Sequence, residues 1–359
     1  MKNIKIYTSL LLLLILGFSC AVEEEVSPEN EITELSSNLQ SAKSSATSSR
    51  TARNIYHDAS GKVTIEISES TWQANDNTEG TTQVSDGYVL IGGGAWAEYG
   101  SGYGAMLTAS YPNESLTTWI AASKDHLVTS PHTLHVYAIG LKLDGISELT
   151  LRNYVKLSKP FQPSSEHHPN NEAFVASGYK LIGGGARANW TGYGSMLEYS
   201  YPEGTRWRVK SKDHIKADKS TIDAWAIGIK EYIPNFGYLD ILNEAEITAY
   251  GGNGSVASAI IPLTDGYVMA CPGAKSTYGY GGYGRMITSI VPDVDYARAT
   301  TKDHSKVDTG HVITYALSIR KRPVSSTSGG GRTGSGSSSG SGSGGVSGPP
   351  MLENPGFPR

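Results

Sequence analysis

The chain says one phrase three times. Lys124-Asp125-His126 recurs as Lys212-Asp213-His214 and as Lys302-Asp303-His304, 88 and then 90 residues further on. Each tripeptide sits at the same place in a longer shared pattern, so it belongs to an internal repeat of about 90 residues. A fixed period of this size constrains architecture more than any local motif, because one supersecondary unit is being built three times over. It also constrains function, since whatever the tripeptide does, the molecule does three times.

Three phrases make up the shared pattern. The first is Gly87-Tyr88-Val89-Leu90-Ile91-Gly92-Gly93-Gly94-Ala95, repeated from Gly178 to Ala186 and altered to Gly266-Tyr267-Val268-Met269-Ala270-Cys271-Pro272-Gly273-Ala274. The second is Gly102-Tyr103-Gly104, with counterparts at Gly192-Tyr193-Gly194 and Gly282-Tyr283-Gly284, each followed by a methionine at 106, 196 or 286. The third runs through Trp119 or Trp207 into Lys-Asp-His and on to an apolar run such as Val136 to Leu141.

These phrases predict strands. Trp207-Arg208-Val209-Lys210-Ser211-Lys212 alternates with the period of a half-solvated strand. Tyr88 to Ile91 and Val136 to Leu141 are short apolar runs bounded by glycine, as buried strands are. An opening strand is expected at Val63 to Ile67, at Leu149 to Leu151, and more faintly between Leu239 and Ile247, with no helix. The expected fold class is all-β: three tandem antiparallel repeats, either small β-sandwich units or sheets packed with pseudo-threefold symmetry. The short connection from Leu143 to Ser147 favours a compact assembly over separate beads.

The ends are of other kinds. Lys2 and Lys5 precede an apolar run from Leu10 to Phe18 that is too short to span a bilayer and reads as an export signal. Leu16-Gly17-Phe18-Ser19-Cys20 resembles a relaxed lipobox, the site at which bacterial lipoproteins are cut and lipidated. The acidic Glu23-Glu24-Glu25 just beyond it resembles the surface-export signal of Bacteroidota-type lipoproteins. The resemblance implies a lipid on Cys20 and an outer-membrane, surface-exposed location. The division is therefore signal peptide 1–19, lipidated cysteine and flexible tether 20–53, β repeats 54–143, 144–232 and 233–323, and a Gly/Ser/Pro-rich tail 324–359 that lacks the apolar surface to order itself. Cys271 is then the one remaining cysteine, so no internal disulfide supports the fold. The formal charge of −4 falls to about −6 once the two signal lysines are gone, which argues against nucleic acid as a partner.

The candidate ligand-binding residues are Tyr103, Lys124, Asp125 and His126, Tyr193, Lys212, Asp213 and His214, and Tyr283, Lys302, Asp303 and His304, with Trp119, Trp190 and Trp207 as supporting aromatics. On an extended strand end Lys212 and His214 share one face and Asp213 takes the other, so either the lysine and histidine meet a polar ligand or the aspartate holds turn amides. One His and one Asp per copy makes a thin metal shell, complete only if the copies converge on an axis, and no metal or cofactor is expected. Twenty-one tyrosines against five phenylalanines favour rings with a polar tip, as sugar faces require. The glycine triplet lacks the helix and Gly-Lys-Ser/Thr ending of a phosphate loop and reads as a bulge or tight turn. No nucleophile signature appears, and the exposed Glu166-His167-His168 is unique to copy two. The reading is a non-enzymatic surface lipoprotein with a glycan-binding module, three weak sites gaining avidity on a polymer. The alternatives are an adhesive protein with a protein partner and a polysaccharide-degrading enzyme.

Overall fold

The computed structural model describes residues 48–100, 103–161, 164–244, 247–279 and 282–324; Cys20, most of the tether and the Gly/Ser tail lie outside them. Among the described residues, twenty-one strands form three antiparallel sheets. The first runs β1 (Ser48–His57), β2 (Val63–Ala74), β7 (His132–Leu143), β4 (Val89–Tyr99), β19 (Met286–Pro292), β20 (Tyr296–Lys302) and β17 (Val256–Pro262). The second runs β3 (Thr78–Gln83), β6 (Thr118–Lys124), β5 (Met106–Pro112), β10 (Lys180–Asn189), β13 (Thr221–Ile229) and β8 (Val155–Ser158). The third runs β14 (Tyr232–Ile233), β15 (Gly237–Asn243), β21 (Gly310–Lys321), β18 (Val268–Tyr278), β11 (Met196–Glu203), β12 (Arg206–Lys212) and β9 (Asn170–Phe174), with β16 (Ile247–Gly251) also on β21. Every sheet thus joins strands of two different copies, and the order excludes three independent sandwiches.

The junctions between copies are alike. Each is a two-residue ladder: Ser110 opposite Ala186, Ser200 opposite Ala274, and Ile290 opposite Ala95. A register shift falls at Ile91, Ile182 and Ala270 in β4, β10 and β18, so the bulge sits one residue before the glycine triplet expected to form a bulge or tight turn, and the triplet itself pairs in register. A Cβ on Gly92 would overlap the Ala270 carbonyl, and one on Gly183 would overlap that of Ile91. At the third such position stands Cys271, fully buried, whose single sulfur fills what the two glycines leave.

The central residue of the triplet shows the same volume logic. The indoles of Trp119 and Trp207 occupy the space a side chain on Gly93 or Gly184 would need, and their N–H groups donate to Ser110 and Ser200 at 2.9 and 2.8 Å. In copy three the register puts Ala297 in place of tryptophan, Pro272 in place of glycine and Ile290 in place of serine. All three change together, because without an indole there is room for a larger residue and no N–H to satisfy.

One expected strand is a helix. Leu149 to Leu151 falls in α1 (Glu148–Arg152), the single helix among the described residues. Ser147 caps it by accepting the Thr150 amide at 3.2 Å, and Leu151 alone is buried. The strand that opens copy two is instead β8, paired to β13.

The close approach at the axis carries a test. Gly183→Ala is expected to lower the free energy of unfolding by about 3 kcal/mol, since the clash is with backbone. Cys271→Ala, which only deletes a sulfur, should cost about 1 kcal/mol. Urea titration of the two variants distinguishes this steric role from a mere turn preference.

Candidate functional site

Each Lys-Asp-His phrase closes a strand and turns into a loop. The aspartate holds that loop: Asp125 accepts the Ser130 amide at 3.0 Å, Asp213 that of Asp218 at 3.0 Å, and Asp303 that of Asp308 at 3.1 Å. Asp218 and Asp308 in turn accept the amides of Gly194 and Gly284 in the Gly-Tyr-Gly phrases. After the histidine the chain is strained in two copies, with Leu127 at φ 63° and the β-branched Ile215 at φ 62°.

The lysines and histidines do not point outward; they reach the next copy. Lys124 Nζ donates to the Tyr193 carbonyl at 2.8 Å and His126 Nδ1 lies 3.2 Å from the same oxygen. Lys212 donates to the Tyr283 carbonyl, with His214 Nδ1 at 3.3 Å. Lys302 donates to the Tyr103 carbonyl at 3.0 Å and closes the ring. Each ammonium also lies over an aromatic ring of that next copy: Lys124 over Trp190 at 5.1 Å, Lys212 over Tyr278 at 4.8 Å and Lys302 over Tyr99 at 5.5 Å. Burial pushes all three lysines below their usual range. The phrases therefore form a cyclic clasp from copy one to two, two to three, and three to one.

Inside the clasp the three histidines meet. The ring centres of His126, His214 and His304 stand 5.5, 5.6 and 5.6 Å apart, edge to face, and the residues are at most 3 % exposed. The Nδ1 atoms of His126 and His214 face carbonyls, so the proton is assigned there; every Nε2 is buried without a partner. Burial, then the neighbouring imidazoles, pulls His214 down to about 4 and His304 to about 3; burial, then Lys124, lowers His126. Although the copies do converge on an axis, no three His, Cys, Asp or Glu side chains among the described residues are disposed to hold a metal ion. Met106, Met196 and Met286 form a separate, fully buried cluster.

The remaining candidates separate by exposure. Trp119 and Trp207 are core residues. The rings of Tyr103, Tyr193 and Tyr283 are 41–49 % exposed, with Tyr103 beside His304 at 5.5 Å and Tyr283 beside His214 at 6.2 Å. His167 and His168 flank Asp213 at 2.7 and 3.1 Å. Ser123 and His132 pair at 2.8 Å, with His132 Nδ1 on the Ser130 carbonyl, a closed arrangement in which both residues are buried.

A pocket of about 350 Å³ lies at the junction of copies one and two, at the small end of ligand-binding cavities, and none of the expected site residues but Trp190 lines it. Its walls include Trp190, Asn77, Asn189, Arg187, Thr108 and Ala122. Asn77 Oδ1 has no partner and is buried out of contact with the open space. At the corresponding place between copies two and three, Glu198 binds Lys210 at 3.0 Å and the Tyr278 hydroxyl at 3.1 Å. Copy one has Thr108 and Ala122 at the positions of Glu198 and Lys210, and the shorter side chains leave the space open. Aligning the copies shows this difference, so a signal existed in the sequence.

No protein-family model matches the chain, and no curated protein matches it.

A clasp role and a ligand role differ in what lysine removal does. Lys212→Met keeps the apolar stem against Tyr278 and deletes the donor to the Tyr283 carbonyl, for an expected loss of about 1–3 kcal/mol. Tyr283→Phe, at an exposed ring, should change stability by less than about 0.5 kcal/mol. Thermal melts of both check the assignment.

Proposed function

We propose that this chain is a surface lipoprotein, anchored through Cys20, whose β unit binds glycan and catalyses no reaction. The observation that carries the reading is the pocket beside Trp190. An indole face takes the C–H face of a pyranose, while the polar groups around it, Asn77, Asn189, Arg187 and Thr191, meet hydroxyls. The Lys-Asp-His phrases contribute by holding the copies together, and the three exposed tyrosines offer further stacking faces. The segment after Cys20 holds the unit away from the membrane.

Affinity electrophoresis of the full-length chain across a broad polysaccharide panel, with a glycan array beside it, tests the reading. Retardation by a subset of glycans is expected. Trp190→Ala should weaken that binding at least about tenfold while costing only about 0.5–1 kcal/mol of stability, the worth of the lost Lys124–indole contact. No retardation on any glycan would sink glycan binding, and product release from the panel would sink the non-enzymatic part.

A further inference from the structure

The pocket and the histidine cluster are joined by one short stretch of chain. Trp190, Thr191 and Gly192 line the pocket, and the next residue is Tyr193, whose carbonyl is held by Lys124 and His126. Gly192 and Gly194 on either side have φ of 68° and 94°, so the stretch depends on those bonds and on the Asp218 carboxylate for its shape. We propose that ligand binding at the Trp190 pocket is controlled by pH through the axial histidines: acid charges the cluster, His126 leaves the Tyr193 carbonyl, and the wall from Trp190 to Gly192 loses its support. The proposal rests on the pocket being a ligand site.

The charged and titratable groups around the cluster come from all three copies. His126 is faced by Lys124, Asp213 and the other two imidazoles. His214 is faced by Lys212, Asp213 and the Tyr283 ring, and His304 by Lys302, Lys124 and the Tyr103 ring. No carboxylate reaches an Nε2. A proton added there is a buried cation among lysines, and it gains water only if the ring swings out.

The direction follows from proton counting. In an opened cluster each histidine titrates near 6.5, whereas in the closed one His214 and His304 are held at about 4 and about 3. Between those limits the open form binds more protons, so lowering the pH favours opening, and above about 6.5 the effect vanishes. At pH 5 each such histidine released favours the open form by about 30-fold. Two carboxyls work the other way. Burial and Asp76 raise Asp125 to about 7, but that pair lies within copy one and need not change when His126 swings. Asp218 is also raised by burial, and it holds the Gly194 amide of the same stretch. Its protonation therefore opposes opening, and Asp218→Asn removes that opposition.

The test uses hydrogen exchange of the full-length chain without ligand, comparing pH 7.5 and 5.0 after correction for intrinsic rates. Protection over residues 190–194 should fall about tenfold or more at pH 5.0. In His126→Asn, whose amide still donates to the Tyr193 carbonyl but takes no proton, the fall should be much smaller, and His214→Asn should reduce it too. In Asp218→Asn the fall should persist. Affinity for whichever glycan binds at pH 7.5 should weaken in parallel. Unchanged protection in the wild-type chain, or a fall abolished by Asp218→Asn and kept in both histidine variants, overturns the proposal. Because exchange is read without ligand, absence of any bound glycan sinks the binding reading alone.

Discussion

Backbone contact at the pseudo-threefold axis is the constraint on which the rest of this structure depends. At the closest points the α-carbons of Gly92 and Gly183 lie against carbonyl oxygens of a neighbouring copy, where no side chain fits. The third position takes only the Cys271 sulfur. This closeness lets β4, β10 and β18 each pair with β19, β5 or β11 of another copy by a ladder of just two residues. Interiors are packed at crystal density, so one extra methyl there pushes whole strands apart rather than finding slack.

The cyclic clasp follows from that geometry. A lysine can end a strand in one copy and reach a main-chain oxygen in the next only if the sheets are already close. Burying the ammonium groups of Lys124 and Lys212, and half-burying that of Lys302, is costly unless each finds partners, and each here has a carbonyl and an aromatic face. The positive φ of Gly104, Gly194 and Gly284 belongs to the same device, since a Cβ on Gly194 would strike the Lys124 stem and one on Gly284 the Lys212 ammonium. The Gly-Tyr-Gly phrase thus has a structural reason to recur that owes nothing to a ligand.

Much of the fold was legible because strands announce themselves locally. The alternation from Trp207 to Lys212 is β12 almost to the residue, and the apolar run from Val136 to Leu141 lies in β7. Pairing between copies was not legible, because three similar segments give no pattern that separates a strand's own neighbour from its counterpart in another copy. The site divided in the same way. Lys212 and His214 do share a side, as a strand end requires, but what they meet is a carbonyl 70 residues away. Trp119 and Trp207 look like ligand aromatics until the joint change to Pro272, Ala297 and Ile290 is noticed, which is the mark of a core contact. The Leu149–Leu151 helix was hidden by apolar residues that fit either period in so short a run.

The repeats agree in the links that close the cycle and differ in the walls outside those links, and this separates scaffold from site. Bulges, junction ladders, lysines and axial histidines recur in all three copies, because a cyclic arrangement fails if one link is missing. The outer walls of the junctions carry no such obligation. Between copies two and three Glu198, Lys210 and Tyr278 fill the wall with a closed polar network. Between copies one and two Thr108 and Ala122 leave it open beside the Trp190 indole. A wall open beside an indole, at the one junction of the two compared that lacks the Glu198–Lys210 pair, is a part of the structure that can diverge without breaking the cycle.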